Sequence, residues 1–165
     1  ALNELDIETI RKNLLNYEGI KKRFDIVQSN DKFVVIDDYA HHPTEIEATM
    51  KSVELYDNLT NFNDRIVLWQ PHKYSRTSDN LEGFKKCFRR CDELIILPLW
   101  TVAGEKKIDI DFEKEFASYN PIFADRVVSY KGKIELIKDD KIIKTYDEGI
   151  FLGVGAGDIT YQLRY

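Results

Sequence analysis

Cysteine is nearly absent: Cys87 and Cys91 are the only two in 165 residues. A pair gives too few ligands for a closed zinc site and no disulfide framework of the kind that staples small secreted domains. Their spacing sets both on one helical face with Leu81, Phe84 and Phe88, so they are expected to be reduced core thiols. No uninterrupted apolar run approaches the roughly 20 residues of a membrane span, and the amino terminus has no secretory pattern. A cytoplasmic protein is expected. Proline (four) and glycine (eight) are scarce, and 43% hydrophobic with 32% charged residues excludes the disordered and low-complexity classes. The sequence has no basic cluster dense enough for a nucleic-acid footprint, and its formal net charge is −5, which points to small-molecule partners. Internal repeats and linkers are also missing. One domain is expected, at a length where folding removes roughly 70% of the unfolded surface from water. The first residue is Ala1 rather than Met, so the chain is expected to be a piece of a longer polypeptide.

What is present alternates between two periodicities. Ile7, Ile10, Leu14 and Tyr17 at helical spacing, with Asp6 as cap and Gly19 as stop, predict an opening helix. Residues 23–28 and 33–38 look extended around a polar turn, and the unbroken Phe33-Val34-Val35-Ile36 run suits a strand buried on both faces. Pro43 at a first helical position and the stripe Ile46, Met50, Val53 predict a helix to about Asn58. A strand at 66–69, a helix at 79–90 capped by Ser78 and a strand at 94–97 follow. A weaker helix is expected at 111–118, a hairpin at 133–146 around Asp139 and Asp140, and a buried strand at 150–154 before a glycine-rich turn and a short helix. Such alternation implies an α/β fold: a Rossmann-like, three-layer domain whose mostly parallel sheet has helices on both faces and an antiparallel edge strand or hairpin.

In open α/β sheets, ligands bind beyond the carboxyl ends of the strands. There the sequence carries Asp37-Asp38-Tyr39-Ala40-His41-His42-Pro43-Thr44-Glu45 and Gln70-Pro71-His72-Lys73-Tyr74-Ser75-Arg76-Thr77, which hold all three histidines. The first run reads equally as a capped helix start with solvated histidines or as a site in which Asp38 accepts from ribose hydroxyls and His41 donates to phosphate oxygens. A dinuclear metal site is a third reading, though no further ligand is evident. In the second run the Arg76 fork matches a carboxylate, with charge from Lys73 and His72 beside it; the plain alternative is a solvated basic turn. Ala103-Gly104-Glu105 and Gly153-Val154-Gly155-Ala156-Gly157-Asp158 join the same rim. The latter is either a tight turn or a phosphate cradle. No G-x-x-x-x-G-K-[ST] motif occurs, so ATP is not held here in the usual way.

The D-D-Y-A-H-H-P-T-E and Q-P-H-K-Y-S-R-T runs, A-G-E, the terminal G-A-G-D-I and the approach segment Gly19-Ile20-Lys21-Lys22-Arg23-Phe24 together resemble the third domain of the Mur ligases that add L-alanine to UDP-N-acetylmuramate. The resemblance spans nearly the whole chain. A sister family that recycles a murein tripeptide shares the first motif but lacks Q-P-H-x-Y-S-R-T. The resemblance implies an ATP- and magnesium-dependent ligase acting through an acyl-phosphate, with the UDP-sugar domain and the P-loop domain absent from this chain. It further implies that Arg76, with Lys73 and His72, binds the α-carboxylate of L-alanine. Tyr39 and His41 would line the same pocket, His41 near the phosphates and Asp38 against the nucleotide. Catalytic roles thus fall to His41, His72 and Arg76, and no protein metal ligand is implied here. Lys73 stands where arginine is common in the family, and residues 97–102 depart from the acidic and aromatic pattern usual before A-G-E. Two other readings remain: a freestanding module for an anionic metabolite, and a metal-dependent hydrolase using Asp37, Asp38 and the histidines.

Overall fold

The computed structural model describes residues 6–15, 20–60, 62 and 64–164. In chain order the elements are α1 (Ile7–Leu15), β1 (Asp25–Ser29), β2 (Phe33–Asp38), α2 (Pro43–Thr60), β3 (Arg65–Trp69), α3 (Tyr74–Asp79), α4 (Leu81–Cys87), β4 (Glu93–Ile96) and α5 (Phe112–Glu115). A 3₁₀ turn (Ala117–Tyr119) leads to β5 (Ile122–Phe123), β6 (Arg126–Tyr130), β7 (Lys133–Lys138), β8 (Lys141–Tyr146), β9 (Gly149–Val154) and α6 (Ile159–Gln162).

The main sheet runs β1-β2-β9-β3-β4-β5, parallel except for β1, which forms the antiparallel edge on β2. Every residue of β2 and β9 is buried, which explains why neither strand alternates with polar residues. Alternate side chains instead feed two cores. Val34 and Ile36 meet Ile46, Met50 and Val53 of α2 and Phe84 and Cys87 of α4 on one face. Phe33 and Val35 meet Ile159 of α6, Leu163 and the inward side of β6 and β7 on the other. The second face is therefore covered jointly by a helix and a small sheet, β6-β7-β8. The expected hairpin is β7–β8, but it belongs to that separate sheet and not to the edge of the main one. Beneath β3, Trp69 is ringed by Phe84, Phe88 and Phe116 at centroid distances of 4.9–5.1 Å, pairs worth roughly 0.5–1.5 kcal/mol each beyond their burial.

The helix expected at 79–90 under a Ser78 cap is the shorter α4, and a second helix, α3, stands before it where a loop was expected. Ser78 lies inside α3, and the chain breaks at Asn80, whose backbone sits at φ −114°, ψ 16° while its side-chain amide donates to the Arg76 carbonyl at 2.9 Å. Asn80 thus ends one helix and starts the next. Asp6 does cap α1, accepting from the Thr9 amide at 3.0 Å, whereas Tyr17 and Gly19 lie outside the described residues. Cys87 and Cys91 are free thiols packed in the first core, and burial pushes both up, Cys91 to about 12. Among the described residues, no helix is long and apolar enough to cross a membrane.

Candidate functional site at the carboxyl rim

The register of the parallel strands sets Asp38, Val154, Trp69 and Ile96 in one row at their carboxyl ends. The loops that leave this row therefore share a rim. The first is built by its own residues. Pro43 opens α2, and the Glu45 carboxylate reaches back to the His41 and His42 N–H groups at 3.0 and 3.2 Å, an arrangement close to a capping box. Burial works against charge on Glu45, yet those N–H donors and His41 hold its carboxyl below the ordinary range. Asp38 is 5% exposed and accepts from the Phe24 N–H (2.9 Å), the Ala40 N–H (2.8 Å) and the Thr49 hydroxyl (3.3 Å). It fixes the loop first of all. Of about four lone-pair positions on a carboxylate, two are taken by N–H groups and a third is shared with the Glu45 carbonyl for the one Thr49 proton, which narrows the nucleotide contact expected of Asp38.

The two rim histidines are held in opposite tautomers. His41 Nδ1 lies 2.9 Å from the Tyr39 carbonyl, which can only accept, so Nδ1 carries the proton and Nε2 is left as the acceptor. His72 Nδ1 lies 3.2 Å from an Arg76 guanidinium nitrogen, which can only donate, so Nδ1 is bare and the neutral ring carries its proton on Nε2. Burial, then the charges of Arg76, of His41 when it is protonated, and of Lys73, hold the His72 imidazole below its ordinary value. His72 accordingly offers a hydrogen-bond donor and not the positive charge expected of it; that charge comes from Arg76 and Lys73. The two rings stand 6.4 Å apart, and Tyr39 meets His41 edge-on at 5.2 Å. Tyr39, His41, His72 and Arg76 thus form one continuous surface.

Several residues stand elsewhere. His42 turns away to Asn80, Nε2 to Oδ1 at 3.1 Å. Asp37, 1% exposed, faces the opposite side of the sheet and accepts from Thr160 and Arg164, so the two adjacent aspartates share no site. Among the described residues, no three His, Cys, Asp or Glu side chains are grouped to hold a metal ion, which removes the ligand set of the hydrolase reading. In the glycine loop, a Cβ at Gly157 would stand 2.3 Å from Gln70 Oε1 and 2.8 Å from Trp100, so the turn is packed too closely for any side chain. The plain, steric reading accounts for these glycines.

Three participants lie in runs singled out in the sequence, but nothing there gave them a role. Gln70, buried, braces the last loop by donating to Asp158 at 2.6 Å and accepting from the Ile159 N–H at 3.0 Å. Arg23 lies over the Tyr39 ring at 5.6 Å, and Trp100 forms an isolated bridge with His72. A cavity of about 610 Å³ opens at the opposite end of the strands, lined by Asp64, Glu93 and Lys144 among others, and no motif residue reaches it.

Residues 22–144 match the family described as Mur ligase, glutamate ligase domain. The chain is 57% identical over 166 residues to the UDP-N-acetylmuramate--L-alanine ligase of Helicobacter pylori (strain J99 / ATCC 700824), an alignment that covers 99% of this chain and 36% of that protein. It is 49% identical over 164 residues to the enzyme of the same name from Campylobacter curvus (strain 525.92), covering 99% of this chain and 38% of the relative. The chain therefore spans little more than a third of these relatives. The crystal structure of UDP-N-acetylmuramate-alanine ligase from Thermotoga maritima superposes with a TM-score of 0.63 at 22% identity, covering 97% of this chain and 32% of that one, which supports the fold. This chain belongs to the Mur ligase family, in the group of domains whose description residues 22–144 match.

Proposed function

We propose that this domain holds the amino-acid substrate of an ATP-dependent carboxylate–amine ligase that joins L-alanine to UDP-N-acetylmuramate in cytoplasmic peptidoglycan synthesis. The observation that carries the reading is the meeting of the Tyr39–Glu45 loop with the His72–Arg76 segment at the strand ends, His41 against His72 at 6.4 Å. The names of the Helicobacter and Campylobacter relatives support the choice of substrates. The UDP-sugar site and the P-loop are assigned to the remainder of the full-length protein, and with them most of the hold on ATP and magnesium. Magnesium, when bound, offsets the charge of the phosphates.

In the reaction, ATP phosphorylates the lactyl carboxylate and releases ADP. The alanine amine then attacks the acyl-phosphate carbon, the carbon–oxygen bond to phosphate breaks, and the amide forms as the nitrogen gives up a proton to the departing phosphate. The residues of this domain act mainly by position. Arg76 pairs with the α-carboxylate of alanine, and Lys73 adds charge without a second fork. His72 donates through Nε2–H. His41 Nε2 is open to a proton and, once charged, donates to a phosphate oxygen, while Tyr39 walls the pocket beside it. Asp38 holds the loop and keeps a remaining acceptor position for the nucleotide. Since the rim is only half of such a site, the chain alone should bind ATP weakly and turn nothing over.

The test uses the full-length protein containing this chain. It should release phosphate only when ATP, UDP-N-acetylmuramate and L-alanine are all present, and Arg76→Ala should raise KM for L-alanine roughly 10- to 150-fold, the worth of a charged hydrogen bond at about 1.5–3 kcal/mol. An unchanged KM refutes the assignment of Arg76. A marked preference for a murein tripeptide over L-alanine would favour the recycling ligase, and micromolar ATP binding by the chain alone a freestanding module.

A further inference from the structure

Helix α3 carries Arg76 yet has no cap of its own. The preceding residue, Lys73, makes no side-chain cap bond and sits at φ 68°, so the first N–H groups of a six-residue helix are without a local acceptor. Their acceptor comes from another loop. Glu105 Oε1 accepts from the Ser75 N–H and the Ser75 hydroxyl, both at 3.1 Å. Burial works against charge on Glu105, but the Ser75 and Tyr74 N–H groups, the Ser75 hydroxyl and the Val102 backbone keep its carboxyl below the ordinary range. Its second oxygen is buried with no hydrogen-bond partner among the described residues. The same loop grips the chain at a second point: the Lys73 N–H donates to the Trp100 carbonyl at 2.9 Å, and the Trp100 N–H to the Pro71 carbonyl at 2.8 Å.

We infer that Glu105 is a positioning residue, a helix cap supplied across space that fixes α3 and so aims Arg76 at the amino-acid site. The geometry stands by itself; the substrate it serves rests on the function proposed above. Without the cap, the turn from Lys73 to Ser75 loosens, and the Arg76 guanidinium spends less time against His72 and the rim. A substrate that needs the aligned form then binds more weakly in proportion to the lost population. Glu105 also has an electrical signature, because the groups facing His72 are Arg76, His41, Lys73 and Glu105, and only Glu105 favours the protonated ring. The departure of residues 97–102 from the family pattern is therefore not a gap in the site, since Trp100 within them anchors the Pro71–Lys73 backbone.

Two variants separate the cap from the charge. In the chain itself, Glu105→Ala should speed amide hydrogen exchange at Ser75 by about fivefold or more, as expected for a lost cap, while Glu105→Gln, which keeps an acceptor, should retain protection. Both variants should lower the His72 pKa in a ¹⁵N titration, because both remove the charge. In the full-length protein, Glu105→Ala should raise KM for L-alanine about fivefold with kcat within about twofold of the parent, and Glu105→Gln should restore most of that loss. Unchanged exchange at Ser75, or a fall in kcat at constant KM, overturns the inference. Should the unsubstituted full-length protein show no alanine ligase turnover, the proposed function fails, and the cap is then judged on exchange and titration alone.

Discussion

Replacing Gly155 by alanine tests whether the last turn of the domain is pressed against the rim as the structure has it. Gly155 is buried at φ +150°, and a Cβ there would stand 2.7 Å from the Gln70 carbonyl oxygen and 3.2 Å from Gln70 Cβ. That carbonyl has little freedom to move. The Gln70 N–H is bonded to the Val154 carbonyl at 3.0 Å, and its side chain is tied to Asp158 and to the Ile159 N–H. Gly104 supplies the control, because at φ +79° it also lies in the left-handed region, but a Cβ there would meet nothing within 4 Å. Positive φ alone costs an alanine about 1–2 kcal/mol, so Gly104→Ala should lose about that much. Gly155→Ala carries the same term plus an overpacking cost of about 1–3 kcal/mol, for a total of roughly 2–5 kcal/mol. Urea unfolding followed by circular dichroism, with equal m-values, measures the difference. Amide shifts in Gly155→Ala should also spread through Gln70 to His72, two residues on. Equal losses in the two variants, or shifts confined to residues 153–158, would show that the close approach is not there.

Two further perturbations probe the charged groups. The native state holds the His72 pKa below its ordinary 6.5, so the unfolded chain takes up a proton there that the folded chain refuses. The stability this contributes is complete above pH 6.5 and is lost as the pH falls through the lower native value. Urea stability measured from about pH 8 to about pH 5 should fall less steeply in His72→Asn than in the parent, and parallel curves would refute it. On the other face, Arg164 approaches the buried Asp37 at 2.7 Å with its own side chain 26% exposed. Arg164→Met should cost about 3 kcal/mol, the low end for breaking such a pair, and Asp37→Asn in the same chain should recover part of it; a loss below about 1 kcal/mol counts against the pair.

Much of this arrangement was legible in the chain because it is local. The fully apolar β2 and β9, the Pro43 start of α2 and the loops that follow β2 and β3 declare themselves through periodicity and turn chemistry over a few residues. What stayed hidden depends on partners far along the chain. Nothing near Tyr74 announces α3, since its cap is Glu105 and its boundary is set by Asn80. Nothing near Gly149 tells that β9 enters between β2 and β3, although that insertion aligns the rim. Asp37 and Asp38 look like a pair in sequence, yet neighbouring residues of a strand point to opposite faces, and only one of them touches the loop. The tautomer of His72 is hidden for the same reason, as it depends on which nitrogen Arg76 meets.

The openness of the rim bears on how such a site can work. Tyr39 is 39% exposed, Trp100 41% exposed, and Arg76 and Lys73 are only half-buried, so a carboxylate arriving at this rim is still within reach of bulk water. Two unit charges 4 Å apart attract by about 1 kcal/mol in water but by about 4 kcal/mol where the effective dielectric constant is 20. Covering the rim with a second protein surface would thus strengthen the same contact by roughly 3 kcal/mol without altering one residue of this chain, a factor of about 150. Holding His72 neutral fits that scheme, because a third cation placed next to Arg76 and Lys73 would raise their mutual repulsion as the dielectric constant falls, whereas a neutral donor gains from the same change. On the proposed function, closure by the rest of the ligase is then what converts a weak, exposed contact into alignment of the amine, and residues that set the geometry of Arg76 matter more to this domain than any that add charge.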